Sequence, residues 1–128
     1  MARILLVDDE RDVVTLIKFM LEKDGHTIIS AYDGAEALAK AGVEPRDATA
    51  VIPDLIILDV MMPVMDGYAV CARLQEDERT KAVPVLVLTA KGAEKDQLKP
   101  AGGTTRYLEK PFDPKMLREH VSSLLEKR

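Results

Sequence analysis

Residues 55–67 read LIILDVMMPVMDG. Four apolar residues, Leu55 to Leu58, run without a polar interruption into Asp59. A strand with one wet face alternates apolar and polar residues. This one does not, so both of its faces are predicted to be buried, as in a parallel sheet covered by helices. A carboxylate at the end of such a strand makes sense only if that end opens onto something polar.

The same arrangement recurs on either side. Residues 4–7 are apolar and end at Asp8-Asp9; residues 85–88 are apolar and end at Thr89; residues 107–108 lead through Glu109 to Lys110-Pro111. Residues 26–31 give a weaker strand. Between these runs lie helical periods. Residues 10–24 carry Val13, Val14, Ile17, Met20 and Leu21 at helical spacing, with Gly25 as a stop. Residues 35–41 end at Gly42, and residues 66–75 form a third helical stretch holding Cys71. Residues 91–99 form a fourth with little apolar content, ended by Pro100 and Gly102-Gly103. The last helix starts at Asp113-Pro114, a good N-cap followed by proline at the first helical position. Its stripe is Leu117, Val121, Leu124 and Leu125. Residues 43–53 have no period and read as a loop, and residues 76–82 as a polar link. Strand and helix alternate five times, which predicts one doubly wound α/β domain over residues 1–128 with a five-stranded parallel sheet and five flanking helices.

Composition narrows the function. The chain has 128 residues, 47% hydrophobic and 31% charged, which is the balance of a globular domain. A net charge of -4 argues against direct nucleic acid binding, which needs a basic face. The one cysteine, Cys71, allows no internal disulfide and fits a reducing cytoplasm. The N-terminal apolar run is too short for a signal peptide. No segment is long and apolar enough to span a membrane. His26 and His120 read as surface residues.

In an open parallel α/β sheet, ligands bind beyond the carboxyl ends of the strands. Asp8, Asp9, Asp59, Thr89 and Lys110 are therefore predicted to meet at one edge. Three carboxylates raise one another's pKa unless a cation joins them. Mg2+ prefers oxygen ligands and works beside phosphates. An ionised Asp59 can attack a phosphoryl group, with Lys110 and the ion offsetting charge on the phosphoryl oxygens and Thr89 donating a hydrogen bond.

With VDDE at Asp8 and Asp9, DVMMPVMDG from Asp59, LTAKG around Thr89 and YLEKPF around Lys110, the chain resembles the receiver domain of two-component response regulators along essentially its whole length. The resemblance implies a flavodoxin-like sheet in the order 2-1-3-4-5. It implies a phosphorylation-activated switch that modifies itself and is not a turnover enzyme. Asp59 would be the phosphoacceptor, with Mg2+ held by Asp8, Asp9, Asp59 and the backbone carbonyl of Met61, Asp8 acting largely through water. Thr89 and Tyr107 would form the switch pair, and the Lys110-Pro111 bond would be cis. Gly67 would relieve the backbone near the site. The donor would be a sensor histidine kinase or phosphotransfer protein. The output surface would comprise residues 91–99, the fifth strand and the last helix, read by a downstream protein or an output domain absent from this chain. Met61 and Lys91 flank the approach of hydrolytic water and are expected to tune phosphoryl lifetime.

Two features depart from the family pattern. The stretch before the third strand is longer by roughly seven residues than the usual short connection. Thr105 and Arg106 stand where regulators with a winged-helix output carry acidic residues, which argues against their phosphorylation-stabilised dimer. Two other functions compete: a degenerate receiver used only for binding, which the complete set of polar residues opposes, and an aspartate-nucleophile phosphatase. The latter needs a second Asp two residues after Asp59, where Met61 stands.

Overall fold

The computed structural model describes residues 2–62, 65, 67–89, 105–110 and 113–126. Five parallel strands form one sheet: β1 (Arg3–Val7), β2 (Thr27–Ala31), β3 (Leu55–Asp59), β4 (Val85–Thr89) and β5 (Thr105–Glu109). Their spatial order is β2-β1-β3-β4-β5, as the resemblance implied. Four helices are described: α1 (Arg11–Lys23), α2 (Gly34–Lys40), α3 (Gly67–Glu76) and α4 (Pro114–Glu126). The expected helix at 91–99 lies outside the described residues.

The uninterrupted apolar strands split their side chains between two core layers, because successive residues of a strand face opposite ways. Leu5, Val7, Ile56, Leu58, Val85 and Val87 join Ala37 and Leu38 of α2 and Val70, Cys71 and Leu74 of α3. Ile4, Leu6, Leu55, Ile57, Leu86 and Leu88 join Val14, Ile17 and Leu21 of α1 and Leu117, Val121 and Leu124 of α4. Every residue of β3 is buried, Asp59 included. Truncating a central leucine such as Leu58 to Ala would cost about 2–5 kcal/mol in lost burial and cavity.

Gly25 closes α1 at φ 93°, left-handed backbone that favours glycine. β2 begins at Thr27, one residue later than the sequence predicts, and His26 Nδ1 accepts the Ala2 N–H at 3.4 Å. His120 is half-buried rather than a plain surface residue, and its Nδ1 is shut away from solvent. β2 is an edge strand, and α2 side chains take two backbone groups along that edge: Glu36 Oε1 accepts the N–H of Tyr32, just past the strand, at 2.8 Å, and Lys40 Nζ donates to the Ser30 carbonyl. Glu36 and Lys40 also pair with each other at 3.1 Å.

The long connection before β3 is ordered around one side chain. Arg79 Nη1 donates to the carbonyls of Ala41, Gly42 and Asp47 at 3.4, 3.3 and 3.0 Å, and Nη2 donates to the Ala50 carbonyl at 2.5 Å. Arg73 Nη1 reaches both oxygens of Glu44 at 2.6 and 2.7 Å, which ties the same loop to α3.

Candidate functional site

The four buried polar or charged residues among those described are Asp8, Asp59, Thr80 and Thr89. Thr80 is explained locally: its hydroxyl donates to the Leu74 carbonyl at 2.6 Å. The other three share the carboxyl edge of the sheet. Asp8 follows β1, Asp59 ends β3 and Thr89 ends β4. Lys110 follows β5 and is anchored by its N–H, which donates to the Thr89 carbonyl at 2.7 Å.

Lys110 Nζ lies among three carboxylates: 3.1 Å from Asp59 Oδ1, 3.5 Å from Asp8 Oδ2 and 3.7 Å from Glu10 Oε1. The Glu10 N–H donates to Asp8 Oδ1 at 2.9 Å, and the Met61 N–H donates to Asp59 Oδ1 at 3.2 Å. Asp8 Oδ2 and Asp59 Oδ2 are both buried and accept no hydrogen bond; at 3.5 Å Lys110 only ion-pairs with Asp8 Oδ2. Burial, then the nearby charge of Asp59, lifts Asp8 to about 6, against the pull of the Glu10 N–H and the Lys110 charge. Burial alone would push the Lys110 ammonium down, but Asp8, Asp59 and Glu10 outweigh it and hold its pKa above the ordinary lysine value.

Oxygens of Asp8, Glu10 and Asp59 lie within 4.8 Å of one another. Unpartnered buried carboxylate oxygens are costly. A hard divalent cation with oxygen ligands relieves that cost, so the residues present fit Mg2+. Asp9, named beside Asp8 in the sequence, is exposed and stands outside this group. Glu10 was not anticipated. Its signal was present as the third acid of VDDE, but it reads as an ordinary helix start.

Gly67 opens α3 against the end of β3. A Cβ there would stand 2.5 Å from the Asp59 carbonyl oxygen and 2.7 Å from Val60 Cα. Close backbone approach therefore dictates this glycine. The Met61 side chain is 64% exposed and lines a shallow groove of about 340 Å3 with Val60, Met62 and Tyr68. Tyr107 is half-buried against the α2–α3 layer. Burial first, then Cys71 and Tyr68, push its hydroxyl pKa up. Burial likewise pushes up the Cys71 thiol, which suits an inert core residue. Lys91 and Pro111 lie outside the described residues.

A family model for the response regulator receiver domain matches residues 4–122. This chain belongs to that family. The receiver domain is 41% identical over 126 residues to the alkaline phosphatase synthesis transcriptional regulatory protein PhoP of Bacillus subtilis, a match that covers 98% of this chain and 49% of that regulator. It therefore spans about half the length of that relative. Among solved structures, it resembles the signal receiver domain of a signal transduction histidine kinase from Syntrophus aciditrophicus, with a TM-score of 0.85, 31% identity and coverage of 99% and 92%. It also resembles the receiver domain of a sensor histidine kinase from Pseudomonas aeruginosa, described with a magnesium ion coordinated in its active-site cleft. That match has a TM-score of 0.80, 30% identity and coverage of 98% of both chains. No described helix is long and apolar enough to cross a membrane.

Proposed function

We propose that this receiver domain is a phosphorylation-activated signalling switch whose phosphoacceptor is Asp59. The observation that carries this reading is the Asp59 carboxylate itself. It is fully buried at a strand end, paired through Oδ1 with Lys110 and the Met61 N–H, and left without a hydrogen bond at Oδ2. Such a group has lone pairs free for attack.

Phosphoryl transfer breaks the P–N bond of a phosphohistidine on a sensor histidine kinase or phosphotransfer protein and forms a P–O bond to Asp59. Asp8 and Asp59, with Asp9 and the Met61 carbonyl as further candidates, would hold Mg2+, which supplies charge neutralisation for the phosphoryl oxygens. Lys110 offsets the remaining charge, and Thr89 donates its hydroxyl. The protein does little covalent chemistry in such a reaction; it positions groups and stabilises charge. Turnover is confined to the domain's own phosphorylation and dephosphorylation.

Phosphorylation adds about -1.5 to -2 charges at Asp59. Thr89 and Tyr107 are the proposed switch pair, with the surface of residues 91–99, β5 and α4 as the output. Tyr107 sits two residues before Glu109, the β5 partner of Thr89, so the two switch residues lie on neighbouring strands. A cytoplasmic setting fits the single buried thiol.

The test is incubation with acetyl phosphate and Mg2+, followed by mass spectrometry of the peptide that carries Asp59. A phosphoryl increment lost in Asp59→Asn is expected. No increment at Asp59 overturns the reading.

A further inference from the structure

Glu10 occupies the N-cap position of α1, yet its side chain makes no capping hydrogen bond. Its backbone is fixed from both sides: its N–H donates to Asp8 Oδ1, and its carbonyl accepts the Val14 N–H at 3.1 Å. The side chain turns to the sheet edge instead, where Oε1 faces Lys110 at 3.7 Å. There it shares a 4.8 Å cluster with Asp8 and Asp59, both of which keep a fully buried oxygen without a hydrogen-bond donor. Three carboxylates around a single ammonium leave an excess of negative charge. Lys110 cannot satisfy all of them at once.

The three acids differ in depth. Asp8 and Asp59 are closed off from solvent, whereas the Glu10 side chain is 63% exposed. Building on the phosphoacceptor reading above, we infer that Glu10 is a third carboxylate of the divalent-cation site, facing the ion from the solvent side while Asp8 and Asp59 face it from the buried side. The role couples the ion to Lys110, because an oxygen taken by the cation is one that the ammonium gives up. That release leaves Lys110 free to meet phosphoryl oxygens. A carboxylate beside a doubly charged ion at the solvent edge strengthens binding by about three- to tenfold at low salt, and by less at high salt.

The inference is tested by binding of Mn2+, followed by the electron paramagnetic resonance signal of the free ion, with Mg2+ as competitor. The proteins are the wild type, Glu10→Gln, Lys110→Met and the double variant, each checked for unchanged folding by circular dichroism. Glu10→Gln should weaken Mn2+ and Mg2+ binding by about three- to tenfold at low ionic strength. The weakening should be at least as large in the Lys110→Met background, where no ammonium competes for the Glu10 carboxylate. Unchanged affinity in Glu10→Gln, or an effect that disappears without Lys110, overturns the role of Glu10. If acetyl phosphate still labels Asp59 in the wild type, that failure is confined to Glu10. A wild-type chain that binds no divalent ion and takes no label overturns the phosphoacceptor reading with it.

Discussion

Lys110 Nζ stands 3.1 Å from Asp59 Oδ1 although their strands are not neighbours. Asp59 ends β3, Lys110 follows β5, and β4 with its terminal Thr89 lies between them. The ion pair spans the intervening strand, so a change of charge at Asp59 acts on the end of β5 directly. Only one covalent step separates Lys110 from the strand that carries Tyr107.

Lys110 is one of the two influences that hold Asp8 down. Lys110→Met should therefore move the Asp8 titration above its value of about 6, with divalent ions absent. Carbon-detected NMR of the side-chain carboxyl follows this directly. An unmoved midpoint would mean that the two groups are not in contact in solution.

Asp8 carries a raised pKa in the folded chain, about 6 against 3.8 for the free side chain. Between those values the folded protein holds a proton that the unfolded one has lost. Stability from this group is thus present at low pH and declines as pH rises through that window. Without divalent ions, Asp8→Asn should exceed the wild type in stability at about pH 7.5, by about 1–3 kcal/mol. The gap should close near pH 4. Urea unfolding at both pH values decides it, and a gap of the same size at each would contradict the assignment.

Both Gly67 and Gly34 stand in close quarters, but against different neighbours. At Gly67 an added Cβ meets backbone, whereas at Gly34 it meets side chains, the buried Val70 Cγ2 at 2.8 Å and Met65 Sδ at 2.9 Å. Gly67→Ala should cost about 2–3 kcal/mol, and Gly34→Ala about 1–2. Chemical denaturation ranks the two. Gly67→Ala should also slow acetyl phosphate labelling, because the displaced backbone is that of Asp59.

Arg79→Ala removes the donors for four loop carbonyls. A loss of about 2–3 kcal/mol is expected, with faster amide exchange across residues 41–50. Arg79→Lys should recover little, because an ammonium cannot reproduce the planar fork. Hydrogen exchange with mass spectrometry reads the loop separately from the core. Full rescue by lysine would show that charge alone suffices.

Met61 places an exposed thioether two residues after Asp59, the proposed phosphoacceptor. Replacing it with asparagine offers hydrolytic water a polar partner and less bulk. Met61→Asn should shorten the lifetime of the phosphorylated form severalfold, as followed by loss of phosphoryl label over time. An unchanged decay rate removes Met61 from any timing role.

The strands and the polar edge were legible because each rests on local pattern. A doubly buried parallel strand is an unbroken apolar run, and Asp8, Asp59, Thr89 and Lys110 stand where such runs stop. The loop before β3 was not legible: what orders it is Arg79, which lies 29 to 38 residues further along the chain from the carbonyls it binds. Residues 76–82 looked like a polar link because nothing in their own sequence marks one arginine as an anchor. Glu10 was hidden for a related reason. Its place at a helix start is a local property, but its approach to Lys110 depends on how β1 and β5 are arranged across the sheet. Gly67 was marked as important, yet its cause, contact with the carbonyl of Asp59, appears only once α3 is laid against β3.

The cover that α2 places on β2 also bears on what happens when many copies meet. The outward backbone groups of an edge strand are a template on which another chain can grow. Here the Tyr32 N–H is already taken by Glu36 and the Ser30 carbonyl by Lys40. A second molecule seeking to extend the sheet must first displace both and break the pair between them. Part of the sheet edge farthest from β5 is thereby closed to strand addition, and a charge-neutralising change at Glu36 or Lys40 is expected to open it to pairing in crowded solution.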